Sequence, residues 1–200
     1  MKVLIFGGFL GSGKTSLILQ LAKYLVAHSD RTTGKTPLVI IENEIGDIGI
    51  DDKAISAGGY EVKGLFSGCI CCTLVSDLTV CIKDVTEKLQ PEWVIIEATG
   101  LAYPQNISET ILKYTDFPVS VTIVADAQRW EDLNEVLEPL ITGQVKNAAN
   151  VLFNKIDLSS DEMIKTAIDG IMKINPNGRL FKVCATKDVD ESVWEAIANG

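Results

Sequence analysis

Gly8-Phe9-Leu10-Gly11-Ser12-Gly13-Lys14-Thr15 is the stretch from which the rest of the chain can be read. It has the form G-x-x-x-x-G-K-[ST]. An apolar, strand-like run, Lys2-Val3-Leu4-Ile5-Phe6, precedes it. Ser16 to Val26 follow, with apolar residues at helical spacing. Strand, glycine loop and helix in that order form a phosphate-binding P-loop. The glycines let backbone N–H groups close around phosphate oxygens, and the helix N-terminus adds its dipole. Gly8, Gly11, Ser12, Gly13, Lys14, Thr15 and Ser16 are therefore the expected phosphate-binding residues. Lys14 would neutralise β/γ-phosphate charge during catalysis, and the Thr15 hydroxyl would ligate Mg²⁺. Gly34-Lys35-Thr36 repeats the last three letters of the motif. Ser29, however, stands where the first glycine is required, and a strand-like Leu38–Ile41 follows, so Ser29–Thr36 reads as a polar turn.

Composition narrows the function classes. The chain has 200 residues, 46% of them hydrophobic, enough for one sizeable core. Its net charge of −9 argues against general affinity for nucleic acid or an anionic membrane. No apolar stretch reaches membrane-spanning length. Met1–Phe6 runs straight into the phosphate loop, so no cleaved leader is expected and the location reads as cytoplasmic. The one histidine, His28, ends the first helical pattern, and a helix-end or surface place is expected of it. Three of the five cysteines, Cys69, Cys71 and Cys72, lie within four residues. Such crowding suits metal or redox chemistry better than a disulfide framework. Cys81, in a helical pattern, and Cys184, in a strand-like one, are expected in the core.

Apolar runs alternate with helical patterns to the end of the chain. Strands are expected at 2–6, 38–42, about 61–66, 93–97, 119–125, 149–153 and 180–184. Helices are expected at 14–27, 73–89, 105–114, 128–138, 160–173 and 190–198. The strands are mostly unbroken apolar runs, as in strands covered on both faces. The fold class is therefore α/β: a doubly wound, mostly parallel sheet with helices on both faces, in a single domain over 1–200.

Four further segments carry chemistry. Asn154-Lys155-Ile156-Asp157 follows the apolar Asn150–Phe153 and has the form N-K-x-D, the guanine-reading motif of GTPases. A carboxylate at Asp157 accepts from both guanine N1–H and the exocyclic amine, a donor pair adenine cannot offer. The Lys155 stem can cover the base plane. Cys184-Ala185-Thr186-Lys187 could supply a backbone N–H to guanine O6 at Ala185 or Thr186, or be an ordinary strand-to-helix turn. Glu97-Ala98-Thr99-Gly100 leaves the buried run Trp93–Ile96, where Glu97 could hold Mg²⁺ directly or through water. The Gly100 N–H could approach the γ-phosphate. Ser67–Leu74 carries the clustered thiols before a helical pattern, where a helix N-terminus favours thiolate. Zn²⁺ or another thiophilic ion, a redox dithiol, and simple core packing all remain open for it. If a metal binds, two sulfurs plus a carboxylate, or a site shared between two copies, fit the spacing. Glu42–Asp52 is an acidic, glycine-punctuated loop that could order around Mg²⁺ and γ-phosphate, or be a solvated surface loop.

Taken together, Gly8–Thr15, Glu44–Asp51, Gly68-Cys69-Ile70-Cys71-Cys72-Thr73-Leu74, Glu97–Ala102 and Asn154–Asp157 resemble the CobW-type P-loop GTPases, relatives of the UreG and HypB metallochaperones. The resemblance spans essentially the whole chain. It implies GTP hydrolysis with GTP/GDP and Mg²⁺, coupled to handling of zinc, cobalt or nickel for a client metalloprotein or cofactor-pathway enzyme. It also implies that Glu97 occupies the Walker B place. Cys69, Cys71 and Cys72 then form the metal motif, with Glu42 and Asp47 as added carboxylate ligands. Asp47 stands where glutamate is usual, which shortens its reach. Family members often continue into a C-terminal domain; none is expected within these 200 residues. A regulator of a corrinoid- or metal-dependent enzyme, and a metal or redox sensor with structural nucleotide, are the competing readings. A nucleotide- or metal-dependent homodimer is an expected assembly.

Overall fold

The computed structural model describes residues 1–30, 36–42, 61–64 and 75–200, with the backbone alone at 61–64 and 75–77. Seven strands are described: β1 (Lys2–Gly7), β2 (Leu38–Glu42), β3 (Glu61–Gly64), β4 (Trp93–Glu97), β5 (Val119–Asp126), β6 (Asn150–Asn154) and β7 (Arg179–Lys182). They form one sheet in the order β3-β2-β4-β1-β5-β6-β7, and every pairing is parallel. The helices are α1 (Lys14–Ala27), α2 (Val75–Leu89), α3 (Pro104–Tyr114), α4 (Trp130–Val145), α5 (Asp161–Ile174) and α6 (Glu191–Asn199).

Side chains alternate across each strand, and both faces of the sheet are buried. Val3, Ile5, Val39, Ile41, Val94, Ile96, Ile123 and Phe153 face one layer, against α2, α3, α4 and α5. Leu4, Phe6, Leu38, Ile40, Ile95, Val124 and Leu152 face the other, against Leu17, Ile18 and Leu21 of α1 and Trp194 and Ile197 of α6. This two-sided burial is why the strands read as continuous apolar runs. Phe6 and Phe153 are fully buried on opposite faces, and truncating either to alanine would cost about 3–5 kcal/mol.

Two sequence expectations need correction. The helix predicted to end at 138 continues to Val145 as part of α4. Pro139 removes a hydrogen-bond donor and forces a break at Leu137, with φ −130° and ψ 30°, after which the helix resumes. Cys184 lies beyond the end of β7 and is only half-buried, with Sγ 3.1 Å from Thr186 Oγ1. Cys81 packs against the first core layer. His28 caps α1 at its C-terminal end and is exposed, as expected. The polar turn at 29–36 lies largely outside the described residues. No helix among the described residues is long and apolar enough to cross a membrane.

The topology locates the site. β1 is flanked by β4 on one side and β5 on the other, so the chain switches direction around it. In such sheets ligands bind at the carboxyl ends of the strands beside the switch. The loop after β1, Glu97 at the end of β4, Asp126 at the end of β5 and Asn154 at the end of β6 all converge there.

Candidate nucleotide-binding site

The loop between β1 and α1 turns on three glycines with positive φ: Gly8 at 131°, Gly11 at 75° and Gly13 at 95°. Two of these positions are also closed to any side chain. A Cβ on Gly8 would run into the Val124 carbonyl oxygen, and one on Gly13 into Asn154 Nδ2. Lys14, the first residue of α1, is 7% exposed. Its Nζ reaches back over the loop to the carbonyls of Gly8 at 2.9 Å and Phe9 at 3.2 Å. An ammonium held this way lies inside the loop, where phosphate oxygens would need a counter-charge. Ser12 Oγ is buried with no hydrogen-bond partner among the described residues. Ser16 is exposed on the first turn of α1.

Glu97 ends β4 and is buried. It accepts a hydrogen bond from Thr15 Oγ1 at 2.9 Å. Glu97 therefore turns inward toward the glycine loop rather than out to solvent. The register Phe6↔Glu97 and Glu42↔Glu97 sets Glu97 between β1 and Glu42, the half-buried last residue of β2. After Glu97, the Ala98 N–H still donates to Phe6 O at 2.8 Å, and the chain then turns, with Ala102 N–H donating to Thr99 O at 3.1 Å. A Cβ on Gly100 would lie 2.8 Å from Leu10 N, so this turn rests on the glycine loop. Thr99 Oγ1 is buried there without a partner among the described residues.

On the other side of β1, Asn154 is 1% exposed. Its Nδ2 donates to Ser12 O at 2.8 Å, and its Oδ1 accepts from Ala185 N–H at 2.8 Å. One side chain thus joins the glycine loop, β6 and the loop after β7. Lys155 adopts a left-handed φ of 63°. Its Nζ pairs with Asp126 Oδ2 at 2.7 Å. The Asp126 side chain is almost fully buried, and its Oδ1 also accepts from Gln128 N–H at 3.0 Å. Asp157 sits in a single 3₁₀ turn, Ile156–Leu158, and is exposed. The structure therefore brings together Gly8–Ser16, Glu97, Gly100, Asn154, Lys155, Asp157, Ala185 and Thr186. The Ala185 N–H is engaged by Asn154, which leaves Thr186 as the exposed neighbour on that loop. Cys69, Cys71, Cys72 and Asp47 lie outside the described residues. Among the described residues no group of three metal-ligating side chains converges.

Several residues that shape this site carried no motif. Gln20 of α1 donates from Nε2 to Ala185 O at 3.1 Å and Lys187 O at 3.0 Å, and accepts from Val189 N–H at 3.0 Å. It fixes the loop after β7 to α1. Arg129 Nη1 donates to Leu10 O at 3.4 Å. Gln144 holds the turn after β4. Asp126 had a readable signal: a carboxylate ending the strand-like run Val119–Ala125, just as Glu97 ends Trp93–Ile96. Nothing in the sequence distinguishes Gln20 or Gln144 from surface glutamines.

Residues 2–182 match the family model for the CobW/HypB/UreG nucleotide-binding domain. Among similar proteins, the zinc-regulated GTPase metalloprotein activator 1 of Dictyostelium discoideum is 28% identical, over 91% of this chain and 45% of its own length. The zinc chaperone YeiR of Escherichia coli is 30% identical, over 81% of this chain and 45% of its own. The chain thus spans about half the length of the relatives it matches. The fold is similar to the crystal structure of Zn(II)-bound YjiA GTPase from E. coli, with a TM-score of 0.70 and 21% identity over 98% of this chain and 61% of that one. It is also similar to the hydrogenase maturation factor HypB from Archaeoglobus fulgidus, at 0.68 and 14% over 100% and 89%. With a P-loop, a buried strand-end glutamate and an N-K-x-D segment assembled at one end of a parallel sheet, the chain belongs to the CobW/HypB/UreG family of P-loop GTPases.

Proposed function

We propose that this chain binds and hydrolyses GTP and couples its nucleotide state to handling of a transition-metal ion. The client would be a metalloprotein or an enzyme of a metallocofactor pathway, in the cytoplasm. The observation that carries this reading is the bridge made by Asn154 between Ser12 and Ala185, with exposed Asp157 three residues along. It ties the glycine loop to the loop after β7, the two segments proposed here to hold phosphate and base.

On the base side, the Asp157 carboxylate would accept from guanine N1–H and the exocyclic amine. The Lys155 stem, held by Asp126, would cover the ring. Thr186 would offer its amide to O6. On the phosphate side, the loop N–H groups and Lys14 would take the β- and γ-oxygens, and the Gly100 N–H would meet the γ-phosphate. The donors present suit Mg²⁺, a hard cation that prefers oxygen: a hydroxyl and a carboxylate, Thr15 and Glu97, already lie at hydrogen-bond distance. Thr15 and Glu97 would hold the ion, which when bound neutralises charge on the transferring phosphoryl group. None of the arginines, Arg31, Arg129 and Arg179, lies in one of these motifs, so turnover is expected to be slow without a contribution from a partner. Cys69, Cys71 and Cys72, with Glu42 and Asp47, are the proposed donors for the cargo metal. The names of the relatives favour zinc, with cobalt or nickel as the other thiophilic choices. Few convergent ligands come from one chain, so GTP plus metal is expected to favour a homodimer.

The test measures GTPase rate and metal affinity together for Zn²⁺, Co²⁺ and Ni²⁺, in wild type, Cys71→Ala and Cys72→Ala, with light scattering in parallel. Both variants should weaken metal binding and the metal effect on rate. Metal affinity that survives loss of all three thiols would refute the cargo site. Loss of metal binding with an unchanged oligomer would refute the dimer alone.

A further inference from the structure

We infer that Gln144 is a positioning residue that presets the γ-phosphate-sensing turn, and so sets the preference for GTP over GDP. The inference rests on the GTPase reading above.

Gln144 lies near the C-terminal end of α4 and is 2% exposed. Its Nε2 donates to Gly100 O at 3.0 Å and to Ala102 O at 2.8 Å. A carboxamide nitrogen has two N–H groups, and here both go to carbonyls of one turn. The turn has no regular secondary structure to hold it: it leaves β4 after Glu97 and enters α3 at Pro104. Its other face rests on Leu10 of the glycine loop, at Gly100. The turn is thus gripped between the phosphate loop and α4. The preceding residue supports the same contact. A Cβ on Gly143 would run into the Tyr103 ring, so α4 and the turn approach as closely as a glycine allows. The α4 end is itself fixed: Gln105 Nε2 donates to Gln144 O at 2.9 Å, and Asn175 Nδ2 to Val145 O at 2.9 Å and Ala148 O at 2.8 Å.

Orienting a carbonyl also orients the rest of its peptide unit, because the peptide is planar. The plane that carries the Gly100 N–H is the Thr99–Gly100 peptide, whose carbonyl, Thr99 O, accepts from Ala102 N–H at 3.1 Å. Gln144 acts on it through the residues on either side: by holding Gly100 O and Ala102 O it fixes Ala102 against Thr99 O, and so limits how the turn can rotate and where the Gly100 N–H can point. A preset donor strengthens binding of the ligand that uses it by removing the ordering cost. GTP uses this donor, and GDP has no γ-phosphate to use it. Gln144 touches neither nucleotide in this account, so its effect should appear in the ratio of the two affinities.

The test compares affinities for GDP and for a non-hydrolysable GTP analogue, in Mg²⁺ buffer, for wild type, Gln144→Met and Gly143→Ala. Methionine keeps the length and burial of Gln144 and removes both donors. For Gln144→Met we expect GDP affinity within about twofold of wild type and analogue affinity lower by about tenfold, the scale of one to two neutral hydrogen bonds. Gly143→Ala, which displaces Tyr103 without touching Gln144, should shift the ratio in the same direction by less, and decides the matter if Gln144→Met does not fold. A common loss for both ligands, or an unchanged ratio in a folded variant, would overturn the positioning role while leaving the GTPase reading intact. If the wild type binds neither nucleotide, both fall together.

Discussion

Replacing Asn154 by alanine is the most direct probe of the site, because one buried side chain joins three separate segments. The variant loses the bond from Nδ2 to Ser12 O and the bond from Ala185 N–H to Oδ1, both at 2.8 Å. Each such bond contributes about 1 kcal/mol net, and an unpaired buried amide or carbonyl costs about 1–3 kcal/mol. A loss of about 2–3 kcal/mol in unfolding free energy is expected if the freed groups are partly rehydrated. For a chain of this size that lowers Tm by roughly 4–12 °C. Denaturant unfolding of the nucleotide-free chain reads the stability, and calorimetry with GDP reads the site. GDP affinity should fall as well, since the glycine loop and the loop after β7 lose their common anchor. Asn154→Asp separates the two bonds, because a carboxylate still accepts from Ala185 N–H but cannot donate to Ser12 O. Because Asn154 is 1% exposed, that carboxylate would also set a buried oxygen against Ser12 O with no counter-charge, so Asn154→Asp should unfold at or below the Asn154→Ala midpoint. The reasoning is refuted if Asn154→Ala unfolds at the wild-type midpoint and binds GDP unchanged.

Three other outcomes follow from particular residues. Asp157→Asn should weaken GTP strongly and admit xanthine nucleotides, since the amide reverses the donor–acceptor pattern; wild type that binds ATP as tightly as GTP would rule out the base assignment. Asp126→Asn leaves Lys155 without its buried counter-charge, and breaking one half of such a pair costs about 3–5 kcal/mol when fully buried, less here because Lys155 is partly exposed. It should weaken GDP and the GTP analogue by the same factor, as calorimetry can check, in contrast to Gln144→Met. Asp190 caps α6 by accepting from the Ser192 hydroxyl and N–H, which hold its carboxyl below the usual aspartate value. That stabilisation is complete above the unfolded-state pKa and is lost as pH falls through the lowered folded value. Acid unfolding of Asp190→Asn should lack this component, and an identical acid profile would exclude it.

How much of this was legible beforehand depends on whether a local pattern or a distant contact does the work. The P-loop is local: Gly8–Thr15 folds as strand, turn and helix because its glycines and flanking periodicity require it, and its positive-φ positions fall on glycines. The two-faced burial of the central strands was equally readable, since Val3–Phe6, Leu38–Ile41 and Val94–Ile96 have no polar face to expose, unlike the edge strands β3 and β7. Glu97 and Asn154–Asp157 could be found because a polar residue ending a buried strand is a local anomaly. The contacts between these segments could not. That Asn154 ties Ser12 to Ala185, that Lys155 turns back to Asp126, and that Gln20 and Gln144 hold the two site loops depend on sequence separations of 29 to 169 residues. The continuation of α4 past Pro139 was likewise hidden, because proline reads as a stop until tertiary packing of Ile141 and Val145 carries the helix on. Side-chain chemistry and local periodicity are properties of the chain itself. Which donor meets which acceptor is decided only when the sheet order sets β5 beside β1 and β6 beside β5, and the helices close over them.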